Sequence, residues 1–197
     1  FLTSGGLGTM GYSLPAAVGA ALFYDPADME ILLETRNVML TILSDEERPV
    51  PQVLALALLY GYQAQSLLDG EDTPWEEAQA LSFGHQLARK TNPAKLLRFY
   101  QGLEILTDTW HQRLQQPLGS DHWDKRLLAL ARYGIERYYL QAISDFDLVG
   151  RVKMVILSCL LVHHLGGDFI QTAQLYGKEI ENNDGQTLIS EGIDANY

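Results

Sequence analysis

Residues 25–49, DPADMEILLETRNVMLTILSDEERP, contain the pattern that decides the fold. The pair Asp25-Pro26 is typical of a helix start, because proline is favoured at the first helical position after a capping residue. The polar residues from Ser44 to Pro49 are typical of a short turn. Between them, apolar residues recur at helical spacing and form one broad stripe: Ile31, Leu32, Val38, Met39, Ile42 and Leu43. The stretch therefore predicts an amphipathic helix over about residues 27–44.

The same signals recur along the rest of the chain. Further helix starts are indicated at Thr73-Pro74, Asn92-Pro93, Ser144 and Asp168. From Asp25 onward, no segment has the pattern of a convincing β-strand. The apolar periodicity predicts helices at about 14–24, 27–44, 50–68, 74–91, 93–105, 108–116, 121–143, 146–165 and 168–182.

These helices and their short polar connections predict an all-α fold, a compact bundle of about eight or nine helices. We expect a glycine-rich N-terminal arm over residues 1–12, a helical domain over 13–185 and a C-terminal tail over 186–197. A chain of 197 residues is long enough to bury a substantial core in one domain.

Composition narrows the classes of function. The formal net charge of −11 argues against nucleic acid and against anionic membranes as partners. The single cysteine, Cys159, excludes an internal disulfide and any all-cysteine metal or iron–sulfur site within this chain. The most apolar run, Met154–Leu165, is about a dozen residues and is predicted to be too short to span a bilayer. We expect a reducing, cytoplasmic setting, and the start at Phe1 leaves open that the chain is a fragment.

The N-terminal residues 1–22, FLTSGGLGTMGYSLPAAVGAAL, form a glycine-rich loop that leads into a helix. Such a loop presents backbone amides to phosphate, and residues 6–11 fit the dinucleotide fingerprint G-x-G-x-x-G. That use normally needs a preceding β-strand and a βαβ unit, and only Phe1 to Thr3 are left to form the strand. The sequence therefore does not favour a Rossmann site and is more typical of a flexible arm.

Residues 3–11, TSGGLGTMG, followed by LPAAVGA at 14–20, resemble the thiamine-diphosphate-binding stretch of acetolactate synthases and related decarboxylases. The resemblance implies that Met10 supports the bent cofactor and that the backbone near Gly6 and Gly8 approaches it. The family's G-D-G metal motif, followed some two dozen residues later by Asn-Asn, has no counterpart with that spacing here. Without magnesium ligands the diphosphate lacks an anchor, so we expect this chain alone not to bind the cofactor.

Cys159 and His163 are four residues apart and share one face of a predicted helix, which could supply two metal ligands. A third ligand would have to come from another helix, with His85, His111 or His122 as candidates. The surrounding residues are those of a packed core helix, which favours a buried thiol and a hydrogen-bonded or packed histidine over a metal site.

Three stretches resemble the C-terminal part of the flagellin lysine-N-methylase family. They are SLPAA at 13–17 running to DPADM at 25–29, the apolar stretch LVGRVKMVILSCLLVHHL at 148–165, and QLYGKEIENN at 174–183. The last resembles the family's closing pattern L-x-S-x-E-x-E-H-S/N, and residues 174–183 are called the closing segment below. The resemblance implies protein-lysine methyl transfer in the full-length family, with S-adenosylmethionine and an iron–sulfur centre as cofactors.

This sequence departs from that family in several places. The cysteine-rich N-terminal half is absent, the family's Cys-Pro-Glu is reduced to Leu14-Pro15-Ala16, and Asn182 replaces a histidine. The resemblance therefore implies the helical half of such a protein, which is not catalytic by itself and binds no cofactor in this chain. Two alternatives stay open: a non-catalytic helical protein-interaction module, and a fragment of a thiamine-diphosphate enzyme.

An acidic surface attracts basic partners, so a lysine-rich protein such as flagellin is the expected partner. No set of nucleophile, base and orienting group can be assembled from local spacing, and the catalytic residues remain unknown. The oligomeric state also remains unknown. The predicted partner site lies in the closing segment and consists of Tyr176, Lys178, Glu179, Glu181 and Asn182. The alternative for that stretch is a solvated amphipathic helix with local ion pairs.

Overall fold

The computed structural model describes residues 24–71, 74–76, 80, 82, 92–119 and 121–181. Over these residues the protein is all-α, with seven α-helices and no β-strand. The helices are α1 (Pro26–Ile42), α2 (Val50–Leu68), α3 (Pro93–Gln101), α4 (Asp108–Gln115), α5 (Arg126–Tyr138), α6 (Leu148–Leu165) and α7 (Phe169–Tyr176). A 3₁₀ helix, Tyr139–Ile143, follows α5, and a π-helical turn, Gly177–Glu181, follows α7.

The all-α prediction is confirmed for the described residues, while the number of helices differs from the predicted eight or nine. The helix predicted at 14–24 lies outside the described residues apart from Tyr24. Thr73 and most of 77–91 lie outside the described residues, and residues 74–76 are not helical. Ala80 and Ser82 are helical, and the amide of Ala80 donates to the carbonyl of Glu76 (3.1 Å), so part of the predicted helix at 74–91 is observed. The N-terminal arm at 1–12 and the tail at 186–197 also lie outside the described residues.

The bundle is organised around α6, which packs against α2, α3, α5, α7 and the 3₁₀ helix. Two glycines allow close approach to this helix. A Cβ atom built on Gly61 of α2 would lie 2.9 Å from Val152 Cγ1, and one on Gly134 of α5 would lie 2.8 Å from Val155 Cγ2. Both valines are buried, so each fits into the space that a missing side chain leaves on the neighbouring helix.

Helix α6 is longer than the apolar run that the sequence analysis singled out. Its 18 residues have a mean hydropathy of 1.6, which meets the length and composition of a membrane span. However, 72% of that stretch is buried inside the protein, as expected for the core helix of a bundle. The run belongs to a helix that is long enough to cross a bilayer, so the prediction that it is too short is wrong. The absence of a membrane partner stays a prediction.

Most predicted helix starts are confirmed by their capping bonds. Asp25 accepts a hydrogen bond from the amide of Ala27 (2.8 Å), and Asn92 accepts one from the amide of Ala94 (3.1 Å). Asp168 likewise caps α7. These side chains satisfy amide groups that the first helical turn leaves unpaired.

The predicted cap at Ser144 is wrong. Helix α6 begins at Leu148, and its cap is Asp147, which accepts a hydrogen bond from the amide of Gly150 (2.8 Å). The chain between the 3₁₀ helix and α6 forms a tight turn in which Phe146 has φ 58°, so the residues before Leu148 cannot continue a right-handed helix.

Candidate functional site

The structure divides the predicted partner site between the interior and the surface. Tyr176 and Glu179 are buried, with 4% and 1% of their surfaces exposed, whereas Lys178 is exposed. Glu181 belongs to the π-helical turn, its side chain is not described, and Asn182 lies outside the described residues. A solvated amphipathic helix is therefore not what residues 176–180 form, and whether this segment binds a partner stays a prediction.

The buried carboxylate of Glu179 binds the start of α4. Its Oε2 accepts a hydrogen bond from the amide of Leu106 (2.9 Å), and its Oε1 accepts one from the hydroxyl of Thr107. The Thr107 oxygen in turn accepts a hydrogen bond from the amide of Trp110 (3.3 Å) and caps α4. A negative charge at a helix N-terminus is electrostatically favourable. Glu179 therefore fastens the closing segment to α4 rather than facing solvent.

Tyr176 makes a second internal attachment. The Ser158 hydroxyl donates to the carbonyl of Met154 (2.7 Å), which leaves its oxygen to accept a hydrogen bond from the Tyr176 hydroxyl at 2.5 Å. The Tyr176 ring packs edge-on against the rings of Tyr100 and Trp110, with both centroids 6.4 Å away. The closing segment is thus tied to α6, α3 and α4 at once.

A small, open groove lies between α5, α6 and the closing segment. Its lining is mostly apolar and aromatic and includes Tyr133, Tyr138, Met154, Ser158, Tyr176 and Ile180. The guanidinium of Arg137 lies 5.4 Å from the centroid of the Tyr138 ring and 5.9 Å from that of Tyr133. Because Ser158 and Tyr176 bind each other, the groove offers packing surface rather than an activated nucleophile.

Cys159 and His163 have separate partners. The Cys159 thiol is fully buried, lies 3.5 Å from the carbonyl of Leu127 as a donor, and has its pKa raised to about 12 by burial. The His163 ring stacks on Trp123 with centroids 3.7 Å apart and planes 13° apart. No group of three histidine, cysteine or acidic side chains suited to a metal ion occurs among the described residues. The expected buried thiol and packed histidine are both observed, and the absence of a metal site stays a prediction.

The environment of His163 favours its neutral form. Burial lowers the pKa of His163 to about 4, with a smaller contribution from the nearby His164. Burial also lowers the pKa of His164. A neutral, stacked imidazole contributes to packing at the C-terminal end of α6. Such a group is not set up for acid–base chemistry at neutral pH.

The turn before α6 presents the most unusual local geometry among the described residues. Phe146 is the one non-glycine residue there with a positive φ, and 46% of its surface is exposed. Its carbonyl accepts a hydrogen bond from Gln65 Nε2 (2.9 Å), and its amide donates to the carbonyl of Ala142 (2.7 Å). Gln65 Oε1 accepts from the amides of Leu148 (2.8 Å) and Val149 (3.1 Å). One glutamine from α2 therefore fixes this turn.

Sequence reasoning missed both Glu179 as an internal anchor and the Phe146 turn. The closing pattern predicts Glu179 as part of a partner site, whereas its observed partners at 106 and 107 are internal and more than 70 positions away in the chain. For Phe146 the available signal was the flanking pair Asp145 and Asp147, since two aspartates around one residue are typical of turns and caps.

A family model described as "Thiamine pyrophosphate enzyme, C-terminal TPP binding domain" matches residues 1–41. The match supports the resemblance of residues 3–20 to the thiamine-diphosphate-binding stretch, and it extends through most of α1. Gly6, Gly8 and Met10 lie within the match and outside the described residues. No curated protein and no solved structure matches the chain significantly.

Proposed function

We propose that this chain is the helical half of a flagellin lysine-N-methylase-like protein and serves there as a protein-recognition and scaffolding domain. Methyl transfer would depend on a cysteine-rich half that this chain does not contain. The chain's own residues do not fit an iron–sulfur centre, because its single cysteine has a buried thiol directed at a backbone carbonyl. No catalytic step is therefore assigned to the residues of this chain.

The observation that carries the proposal is the position of Glu179. It occupies the first glutamate of the L-x-S-x-E-x-E-H-S/N pattern, and its side chain is buried with two hydrogen-bond donors at the start of α4. The glutamate at this position of the pattern therefore has a structural role, because its hydrogen bonds hold the closing segment against the bundle. The second methylase-like stretch, 148–165, forms α6, to which the closing segment is also attached through Tyr176.

The proposal is tested by co-expressing the full chain with the cysteine-rich half of a lysine N-methylase. We expect the two to purify together and to restore lysine methylation of flagellin, measured by mass spectrometry. The Glu179→Ala variant should lose association, because the closing segment loses its attachment, whereas the Glu30→Ala variant, at an exposed glutamate of α1, should retain it. Absence of association with the wild-type chain would refute the proposal.

The match over residues 1–41 favours a second candidate, a fragment of a thiamine-diphosphate enzyme. In that case Gly6, Gly8 and Met10 would approach the cofactor. The described residues contain no cluster of acidic side chains that could hold its magnesium ion. Calorimetric titration of the full chain with thiamine diphosphate and Mg²⁺ separates the candidates. Saturable binding that the Met10→Ala variant weakens would favour the enzyme fragment, and we expect no binding.

A further inference from the structure

We propose that the turn before α6 carries a docking surface for a basic segment of a partner protein, with Phe146 as its apolar anchor. The surface comprises Phe146 and the carboxylates of Asp69 and Asp147, and it is called the Phe146 surface below. The assignment deepens the proposed function, on which it rests, by locating where a lysine-bearing partner is recognised. It uses residues that are distinct from the closing segment.

The first argument concerns the conformation of Phe146. A φ of 58° is disfavoured for a residue with a bulky side chain, and glycine or asparagine adopts it more easily. The residue is 46% exposed, so only about half of its surface is buried in return. An aromatic residue at this position is therefore strained and only partly used in packing. Strained residues of this kind occur preferentially at functional sites.

The second argument concerns rigidity. Gln65 bonds the Phe146 carbonyl and the two amides that open α6, and the Phe146 amide bonds Ala142. The backbone that presents the ring is therefore fixed by bonds to α2 and to the 3₁₀ helix. A rigid aromatic side chain loses little conformational entropy on contact, which is a property of anchor residues in protein interfaces.

The third argument identifies the neighbouring groups. Gln65 Nε2 also donates to Asp69 Oδ1 (3.0 Å), so this exposed carboxylate lies beside the Phe146 carbonyl. Asp147 is the next residue along the chain. Tyr62 precedes Gln65 by almost one helical turn and is 47% exposed, and the ammonium of Lys153 lies 5.5 Å from the centroid of its ring. The carboxylates thus lie around the Phe146 turn, whereas the Tyr62 ring next to it is already in contact with a lysine of the chain itself.

Charge complementarity selects the occupant. Arg151 pairs with Asp145, whereas Asp69 and Asp147 accept hydrogen bonds from uncharged groups, Gln65 and the Gly150 amide. They add two carboxylates close to the backbone of Phe146, in a protein whose net charge is −11. A segment with lysine or arginine next to an apolar residue would pair with the carboxylates and cover the phenyl ring.

The test measures binding of a fluorescein-labelled peptide of alternating lysine and leucine to the full chain by fluorescence anisotropy. Phe146→Gly removes the ring and relieves the φ strain, so it should weaken binding by about tenfold while the thermal midpoint stays close to that of the wild type. Phe146→Asn serves as a second variant suited to this φ, and Ile170→Ala, at an exposed apolar position on α7, is the matched control. High salt should weaken binding of the wild type.

The proposal is overturned if Phe146→Gly binds like the wild type, if a peptide with glutamate in place of lysine binds equally well, or if the wild type binds neither peptide. It is also overturned if sedimentation shows a wild-type dimer that Phe146→Gly dissociates, since a second copy of the chain would then cover the surface. The proposed function fails on a different result, namely the absence of association between the wild-type chain and the cysteine-rich half in the co-expression experiment.

Discussion

The two ends of α6 are stabilised in opposite ways. At its N-terminal end, polar groups from α2 and from the capping Asp147 satisfy the backbone, and Phe146 remains exposed beside them. At its C-terminal end, Gly166 packs against the segment at 118–119, and His163 stacks on Trp123. The first arrangement fixes a turn while leaving an aromatic ring available. The second buries the ring of His163 and keeps it neutral.

The difference indicates where change is tolerated. A packed end cannot accept additional atoms, because rigid neighbours have no room to move. A hydrogen-bonded end tolerates loss of the exposed ring, since its geometry depends on the amide and carbonyl groups around it. Function that requires contact with a partner is therefore more compatible with the N-terminal end of α6.

The largest effect is expected from Gly166→Ala at the packed end. Its Cβ atom would lie 2.2 Å from the Gly119 carbonyl oxygen, and its φ of 64° disfavours any side chain. We expect the free energy of unfolding to fall by about 4 kcal/mol. Gly70→Ala is the matched control, because its φ is 81° with nothing within 4 Å, and it should cost about 1 kcal/mol. Urea denaturation measures both, and equal losses would contradict the packing argument.

Acidification should destabilise the protein through the packed C-terminal end of α6, where His163 lies. His163 has an ordinary pKa near 6.5 when unfolded and about 4 when folded, so the unfolded chain takes up a proton first. The free energy of unfolding should therefore be highest above about pH 6.5 and fall by about 2–3 kcal/mol as the pH drops towards 4.

The control for this pH dependence is His163→Phe, which keeps an aromatic ring against Trp123 and cannot titrate. Urea denaturation of both proteins at about pH 7 and about pH 4.5 isolates the contribution of His163. A smaller loss of stability in the variant is expected, with a residual slope from His164, whose pKa is also lowered. Identical pH dependence in the two proteins would remove His163 as the cause.

Gln65→Ala should break the hydrogen-bonded end. The substitution leaves the amides of Leu148 and Val149 and the carbonyl of Phe146 without their partner. These groups lie near the surface and can bind water in part, so we expect a loss of about 1–2 kcal/mol in the free energy of unfolding. Hydrogen exchange should show faster exchange at the amides of 148 and 149. Gln63→Ala, on the same helix, is the comparison variant, and equal exchange in both would argue against the assigned role of Gln65.

The sequence predicted the helices well where short-range patterns decide the structure. Asp25, Asn92 and Asp168 cap helices as expected, since a cap and its amides are neighbours in sequence. Short-range patterns could not predict the features that distinguish the two ends of α6, because these depend on contacts between distant parts of the chain. Gln65 meets residues more than 80 positions away, and Glu179 meets partners more than 70 positions away. Tertiary contacts of this kind also explain why α6 begins at Leu148 and not at the predicted residue 146.

The smallest effect is expected from Phe146→Gly at the hydrogen-bonded end. Glycine adopts a φ of 58° without strain, but it loses more conformational entropy on folding and gives up the buried half of the phenyl surface, so the net change in stability should be no more than about 0.5 kcal/mol. Phe146→Ala provides the matched comparison, because it removes the ring and retains the Cβ atom that causes the strain. Differential scanning calorimetry should place the glycine variant close to the wild type and the alanine variant below the glycine variant. If both variants lost stability equally, the phenyl ring would belong to the core, and the contrast between the two ends of α6 would fail.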